Sequence, residues 1–135
     1  MSTMLAPGLS WIDLRFLGRP HAIATGVVSG GGTLALVDPG PTSCLETLEL
    51  GLQAQGLRLA DVTLIDAPPI TLYPDARAIA PLVDGVILVV EADSTPVSVA
   101  ARATEILRES GANILGVVLN KTRQYIPERF SALIG

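Results

Sequence analysis

Leu64-Ile65-Asp66-Ala67-Pro68-Pro69 is the stretch on which the reading of this chain turns. It closes a predicted strand, Val62-Thr63-Leu64-Ile65, and the residue patterning differs on its two sides. On the amino-terminal side, Ile12, Leu14 and Phe16 alternate with Asp13 and Arg15, a period of two that predicts a half-exposed antiparallel strand. Gly18-Arg19-Pro20 turns the chain, and His21 to Ser29 reads as a second strand. Gly30-Gly31-Gly32 is a hairpin signal leading into Thr33-Leu34-Ala35-Leu36-Val37-Asp38, so this side predicts a three-stranded meander. Pro39-Gly40-Pro41 then breaks the strand. Ser43-Cys44-Leu45-Glu46 reads as a capping box that opens a helix, with Leu45, Leu48, Leu50 and Leu52 as candidates for its apolar face and Gly56 as its stop.

On the carboxy-terminal side the pattern is a short helix over 75–82, the apolar run Val86-Ile87-Leu88-Val89-Val90, a longer helix and a last strand, Ile114 to Leu119. Thr95-Pro96 supplies an N-cap and N1 pair for the longer helix; Val99, Ala103, Ile106 and Leu107 face inward, and Gly111 ends it. From Thr33 onward, strands alternate with helices and are apolar throughout, which predicts parallel strands covered on both faces. The expectation is one α/β domain over 1–135. Its sheet is mixed and mainly parallel, of about six strands, with an antiparallel meander at the amino-terminal end and about three helices in α/β/α layers.

Bulk composition narrows the function classes. The 135 residues are 49% apolar and 16% charged, with mean hydropathy +0.50. No apolar run reaches the roughly 18 residues of a membrane span, so the excess is read as buried strands, with self-association into a homo-oligomer as a further use. A net charge of −4 argues against nucleic acid as a partner, since phosphate binding needs a basic patch. Lys121 and Arg123 make a small basic cluster near one strand end. The single cysteine, Cys44, excludes an internal disulfide and a cysteine-based zinc site. Met1 to Ser10 shows no secretory pattern, so the cytoplasm is the expected location.

Residues 9–65 resemble the opening of a metallo-β-lactamase-fold hydrolase. The resemblance rests on Leu36-Val37-Asp38-Pro39-Gly40-Pro41, the helix that follows, and the lead-in Leu59-Ala60-Asp61-Val62-Thr63-Leu64-Ile65. In that family the next residues are a Thr-His-Xaa-His-Xaa-Asp-His cluster that holds two zinc ions and generates hydroxide. This sequence has no such cluster and only one histidine, His21. Asp38 matches a family aspartate near the metal site, but without the histidines it has nothing to support, and the preferred reading is a turn residue that ends a strand.

Residues 61–130 resemble the bacterial polysaccharide-type tyrosine kinases, which belong with MinD-like P-loop ATPases. The resemblance rests on Leu64-Ile65-Asp66-Ala67-Pro68-Pro69, Pro74-Asp75-Ala76-Arg77, Val83-Asp84-Gly85-Val86-Ile87-Leu88-Val89-Val90, and the run from Gly111 to Asn120-Lys121. It implies that Asp66 corresponds to the Walker B aspartate, which helps hold Mg²⁺ beside nucleotide phosphates. Phosphate binding in that family also needs a Gly-Xaa4-Gly-Lys-(Ser/Thr) loop, and none occurs in these residues. Gly30-Gly31-Gly32 has no lysine and opens a strand, so it reads as a hairpin. The family's carboxy-terminal tyrosine cluster is represented at most by Tyr125, beside Pro127.

The two resemblances together describe a chimera of residues 1–65 (βββαβ) and 66–135 (αβαβ), natural or made. The leading expectation is a folded domain with no catalytic residues, no required cofactor and no named protein partner. Asp38 and Asp66 are the candidate metal ligands, with Asp66 and Ser43, at a helix N-terminus, as candidates for Mg²⁺ or phosphate. Asp38, Asp66, Asp93 and Asn120 all follow or end strands whose carboxyl ends are expected on one side, where ligands bind open α/β sheets. The blander reading of acidic turn residues on a solvated rim is preferred. A further expectation is that the strand 33–38 takes the place of the P-loop strand, between the strand at Asp66 and the next strand in sequence.

Overall fold

Residues 2–122 are described by the structure, a computed structural model. They divide into two units, Met1–Ala76 and Arg77–Gly135. The readings of Arg123, Tyr125 and Pro127 lie outside the described residues.

The first unit is built from hairpins closed by one crossover. β1 (Ser2–Ala6) pairs antiparallel with β2 (Leu9–Asp13), β2 with β3 (Ala24–Gly30), and β3 with β4 (Thr33–Val37). Gly31 and Gly32 form the β3–β4 turn at φ +58° and +81°, the left-handed region that both central residues of a tight hairpin require. The chain then crosses through α1 (Leu45–Gln53) and returns as β5 (Leu64–Asp66), parallel to β4 in the register Ala35↔Leu64, Leu36↔Ile65 and Val37↔Asp66. The sheet order is β1-β2-β3-β4-β5.

One face of this sheet meets α1. Ile12, Val27, Leu34 and Leu36 from the strands, with Leu14, bury against Cys44, Leu48 and Leu52. Gly51 sets the approach of the helix, because a Cβ there would run into the side chain of the fully buried Ile12. The helix ends at Gln53, and the turn after it closes at Gly56, φ +73°, where Leu57 N–H donates to the Leu52 carbonyl (3.0 Å) and Gly56 N–H to the Gln53 carbonyl (2.9 Å).

Several expectations for this unit need correction. The meander has four strands, because β1 precedes it. Its second strand ends at Asp13, where the period of two stops: Ile12, Asp13 and Leu14 are all buried, and Phe16 lies in a 3-10 turn, Phe16–Gly18. The capping box does not form. Ser43 sits inside a 3-10 turn, Thr42–Cys44, so Cys44 takes the N-cap position, and no side chain caps the helix. Of the proposed apolar face, Leu48 and Leu52 are buried, whereas Leu45 and Leu50 are exposed.

The second unit carries β6 (Val86–Glu91) and β7 (Ile114–Asn120), parallel to each other and joined through α3 (Val97–Glu109). A short helix, α2 (Pro74–Ile79), runs into it from the first unit. Ala103 and Leu107 are the buried residues of α3. The Thr95-Pro96 signal is displaced by one position: Pro96 is the N-cap, without a side-chain bond, and Thr95 N–H donates to the Glu91 carbonyl (3.0 Å). β6 alternates in burial, with Ile87 58% and Val89 60% exposed. Val118, in register with Val89, is 49% exposed.

A mainly parallel sheet of six strands is therefore not what forms. The described strands make a five-stranded sheet with three antiparallel pairings and one parallel, and a separate parallel pair. The physical reason lies in β4, whose two edges are taken by β3 and β5, leaving no edge for a further strand. The strand 33–38 thus lies beside the Asp66 strand as expected, but does not stand between it and β6.

Two outcomes follow for stability. Gly51→Ala gains about 1 kcal/mol of helix propensity but forces a methyl group into a packed core, at a cost of about 1–3 kcal/mol. Urea unfolding is expected to show a net loss, and Leu52→Ala a larger one of about 2–5 kcal/mol. The second outcome concerns Asp13, only 3% exposed. The backbone N–H of Arg15, and then that of His21, hold its carboxyl below the usual carboxylate range, outweighing the opposing effect of burial. A carboxyl lowered on folding stabilises the fold above its ordinary pKa of about 3.9, and that contribution disappears as pH falls through the lower folded value. Asp13→Asn is therefore expected to lose less stability than the wild type between about pH 5 and pH 2 in urea titrations.

Candidate functional site

The parallel pairing of β4 and β5 places Asp38 and Asp66 at neighbouring strand ends. Val37 is in register with Asp66, and the N–H of Asp38 donates to the Asp66 carbonyl at 3.0 Å, carrying the ladder one residue past β4. Asp38 then turns into the left-handed region at φ +50°, a conformation that aspartate tolerates better than most residues. Its carbonyl accepts a hydrogen bond of 3.1 Å from Thr25 Oγ1, whose side chain is fully buried. The backbone of Asp38 is thus held from both sides, while the side chains of Asp38 and Asp66 are exposed.

Beyond Asp38, Pro39 is buried, and a Cβ at Gly40 would run into the Leu14 side chain. Cys44 N–H donates to the Pro41 carbonyl at 2.8 Å and begins the turn that feeds α1. Ser43 is exposed and lines an open cavity of about 420 Å³ together with Leu14, Arg15, Leu17, Gly18, Cys44 and Thr47. Arg15 brings a positive charge to that lining. Its place there was not legible beforehand, because residues 14–18 read as the end of a strand and a turn. Thr25 was missed for a related reason: nothing local marks a strand threonine whose hydroxyl fixes a turn thirteen residues on.

The remaining strand-end residues lie in the second unit. Asn120 ends β7, and Asp93 follows β6 by two residues. Ala92 N–H donates to the Asn120 carbonyl (2.8 Å), Asn120 Oδ1 accepts from Lys121 N–H (2.8 Å), and Lys121 Nζ pairs with Glu91 (3.0 Å). The structure therefore joins Asp38 to Asp66 in one unit, and the β6 end to the β7 end in the other. His21 has its backbone N–H on the buried carboxylate of Asp13.

Chemically, carboxylates at adjacent strand ends are hard oxygen donors of the kind divalent cations take. Among the described residues no group of three or more His, Cys, Asp or Glu side chains is placed to hold a metal ion. Magnesium is commonly bound by one or two carboxylates together with substrate phosphates. Asp38 and Asp66 match the first requirement, but these residues contain no phosphate loop for the second, so they do not fit a Mg–nucleotide centre. No described helix is long and apolar enough to cross a membrane.

Comparison with known proteins supports the kinase side of the reading. The chain is 33% identical over 91 residues to "Tyrosine-protein kinase CpsD" of Streptococcus agalactiae, covering 67% of this chain and 40% of that protein. It is 38% identical over 61 residues to "Putative tyrosine-protein kinase CapB" of Staphylococcus aureus, covering 45% of this chain and 27% of that protein. A CpsD from Streptococcus pneumoniae serotype 4 is 35% identical over 86 residues, 63% of this chain and 38% of its own length. The chain thus spans about two fifths or less of the curated relatives it matches. No protein-family model matches it, and no solved structure does.

The length of the first match also bears on the supposed join. A stretch of 91 residues in a chain of 135 starts no later than residue 45 and ends no earlier than residue 91, so it crosses Leu64-Ile65-Asp66. The metallo-hydrolase resemblance and the chimera built on it receive no support from these relatives. What stands is a mixed α/β chain similar to bacterial tyrosine-protein kinases across two thirds of its length.

Proposed function

We propose that this chain is a module related to the bacterial tyrosine kinases that keeps a Walker B-like strand end, Asp66, and does not by itself transfer phosphate. The observation that carries this reading is the position of Asp66. It ends a strand in parallel register with β4, inside a stretch similar to tyrosine-protein kinases. The residue that would partner it in phosphate binding, a lysine in a glycine-rich loop, is not among these 135 residues. Asp38 occupies the neighbouring strand end instead, and two exposed carboxylates repel phosphate rather than hold it. Any Mg²⁺ or phosphate bound at Asp38, Asp66 or Ser43 is therefore weak.

A second reading, self-association, rests on the exposed Ile87, Val89 and Val118 of the β6–β7 pair. Parallel strands are ordinarily buried on both faces, so these side chains favour an apolar neighbour. Light scattering that finds a monomer at about 100 μM, well above the K_d range of standard interfaces, counts against it. We read the chain as a cytoplasmic protein with no nucleic acid partner, in keeping with its net charge of −4.

The primary reading is tested with ATP and Mg²⁺. Calorimetric titration of the 135-residue chain is expected to show no saturation at about 1 mM ligand, that is, no affinity stronger than roughly 4 kcal/mol. Incubation with γ-labelled ATP is expected to leave the protein unlabelled. Saturable binding abolished by Asp66→Asn, or label on a tyrosine, contradicts the reading.

A further inference from the structure

The loop between Asp13 and His21 is fastened at both ends by a single buried carboxylate. Asp13 Oδ1 accepts from Arg15 N–H and Oδ2 from His21 N–H, each at 3.0 Å. At the base of the loop, Leu14 N–H donates to the Ile23 carbonyl at 3.1 Å. Inside it, Gly18 N–H donates to the Arg15 carbonyl (2.8 Å) and Arg19 N–H to the Phe16 carbonyl (3.0 Å). Arg15, Leu17 and His21 all hold left-handed backbone, at φ +48°, +53° and +60°. Side chains rarely adopt that conformation without a reason outside the residue, and at Arg15 and His21 the shared carboxylate holds the backbone N–H.

His21 places a titratable ring beside the same carboxylate. Its Nδ1 lies 3.8 Å from Asp13 Oδ2, longer than a hydrogen bond, and its side chain is 74% exposed and open to solvent protons. The Trp11 ring stands 6.3 Å away, tilted by 53°. A neutral imidazole at that distance adds little, whereas an imidazolium is attracted by the carboxylate. Among the described residues, the charged side chain acting on Asp13 is that of His21. Arg15 reaches it through its backbone N–H, and β3 opposite presents Ala24 in register and then Thr25, neither of which titrates.

We propose that His21 and Asp13 form a proton-tightened latch on the loop over 14–22, the loop that walls the cavity before α1. Leu14, Arg15, Leu17 and Gly18 line that cavity on the loop side, facing Ser43 and Thr47. Protonation of His21 draws the loop onto Asp13 and fixes this wall. Loss of the proton leaves the two N–H bonds in place and loosens the loop. The cavity is accordingly more rigidly walled at mildly acidic pH than at alkaline pH.

The test is the amide hydrogen-exchange protection factor of Arg15, measured by NMR on the full chain at about pH 5.5 and about pH 8, either side of the usual imidazole range. The wild type is expected to show about threefold higher protection at the lower pH, the scale of an ion pair with one exposed partner. His21→Gln, at a side chain 74% exposed, is expected to give equal protection at both values. Equal protection in the wild type, or the same rise in His21→Gln, overturns the latch.

Discussion

Everything in the first unit depends on β4 being held between two neighbours of opposite sense. On one side it closes the Gly31-Gly32 hairpin with β3, and on the other it accepts β5 in parallel. Leu34 and Leu36 project from it into the core beneath α1. Thr63 ties the start of β5 to the same strand, donating its N–H to the Leu34 carbonyl at 2.8 Å and accepting at Oγ1 from Leu34 N–H at 3.1 Å. At the other end, Asp38 N–H reaches the Asp66 carbonyl while Thr25 Oγ1 holds the carbonyl of Asp38. This one strand thereby turns an antiparallel meander into a mixed α/β sheet, and its carboxyl end places the two acidic residues side by side.

Much of this was legible in the residues. Glycine triplets, apolar runs of five or six residues and proline stops located β4, β6, β7 and the three helices, because each of those signals is local. What depended on distant partners was not legible. β1 carries exposed Met4 and Leu5 and no clear alternation, and it becomes a strand through its pairing with β2. Asp13 looked like the solvent side of a strand, yet it is buried because the chain leaves the sheet there and wraps its own amides around the carboxylate. Ser43-Cys44-Leu45-Glu46 fits a capping box in composition, but the tight turn from Pro41 advances the helix start past the serine. The mainly parallel sheet failed on an edge count: apolar strands and crossovers suit a parallel sheet, but they do not say which edges are already taken.

The site shows the same division. Asp38 and Asp66 were both singled out, and the structure brings them to adjacent strand ends. Thr25, which fixes the backbone of Asp38, carries no signal at short range. The similarity to tyrosine-protein kinases spans Asp66 and residues on both sides of the supposed join. A strand followed by Asp-Ala-Pro-Pro suits a Walker B end. Its parallel neighbour β4 is followed directly by a second aspartate, Asp38.

The most direct measurement of this account is the strand order around β4, read from backbone NOEs and cross-strand methyl contacts of Leu36 in labelled protein. The account predicts contacts from Leu36 to Val27 on one side and to Ile65 on the other, in the registers Val27↔Leu36 and Leu36↔Ile65. Contacts from Leu36 to Val89 or its neighbours in β6, in place of those to Val27, would contradict it and restore the strand to the P-loop position.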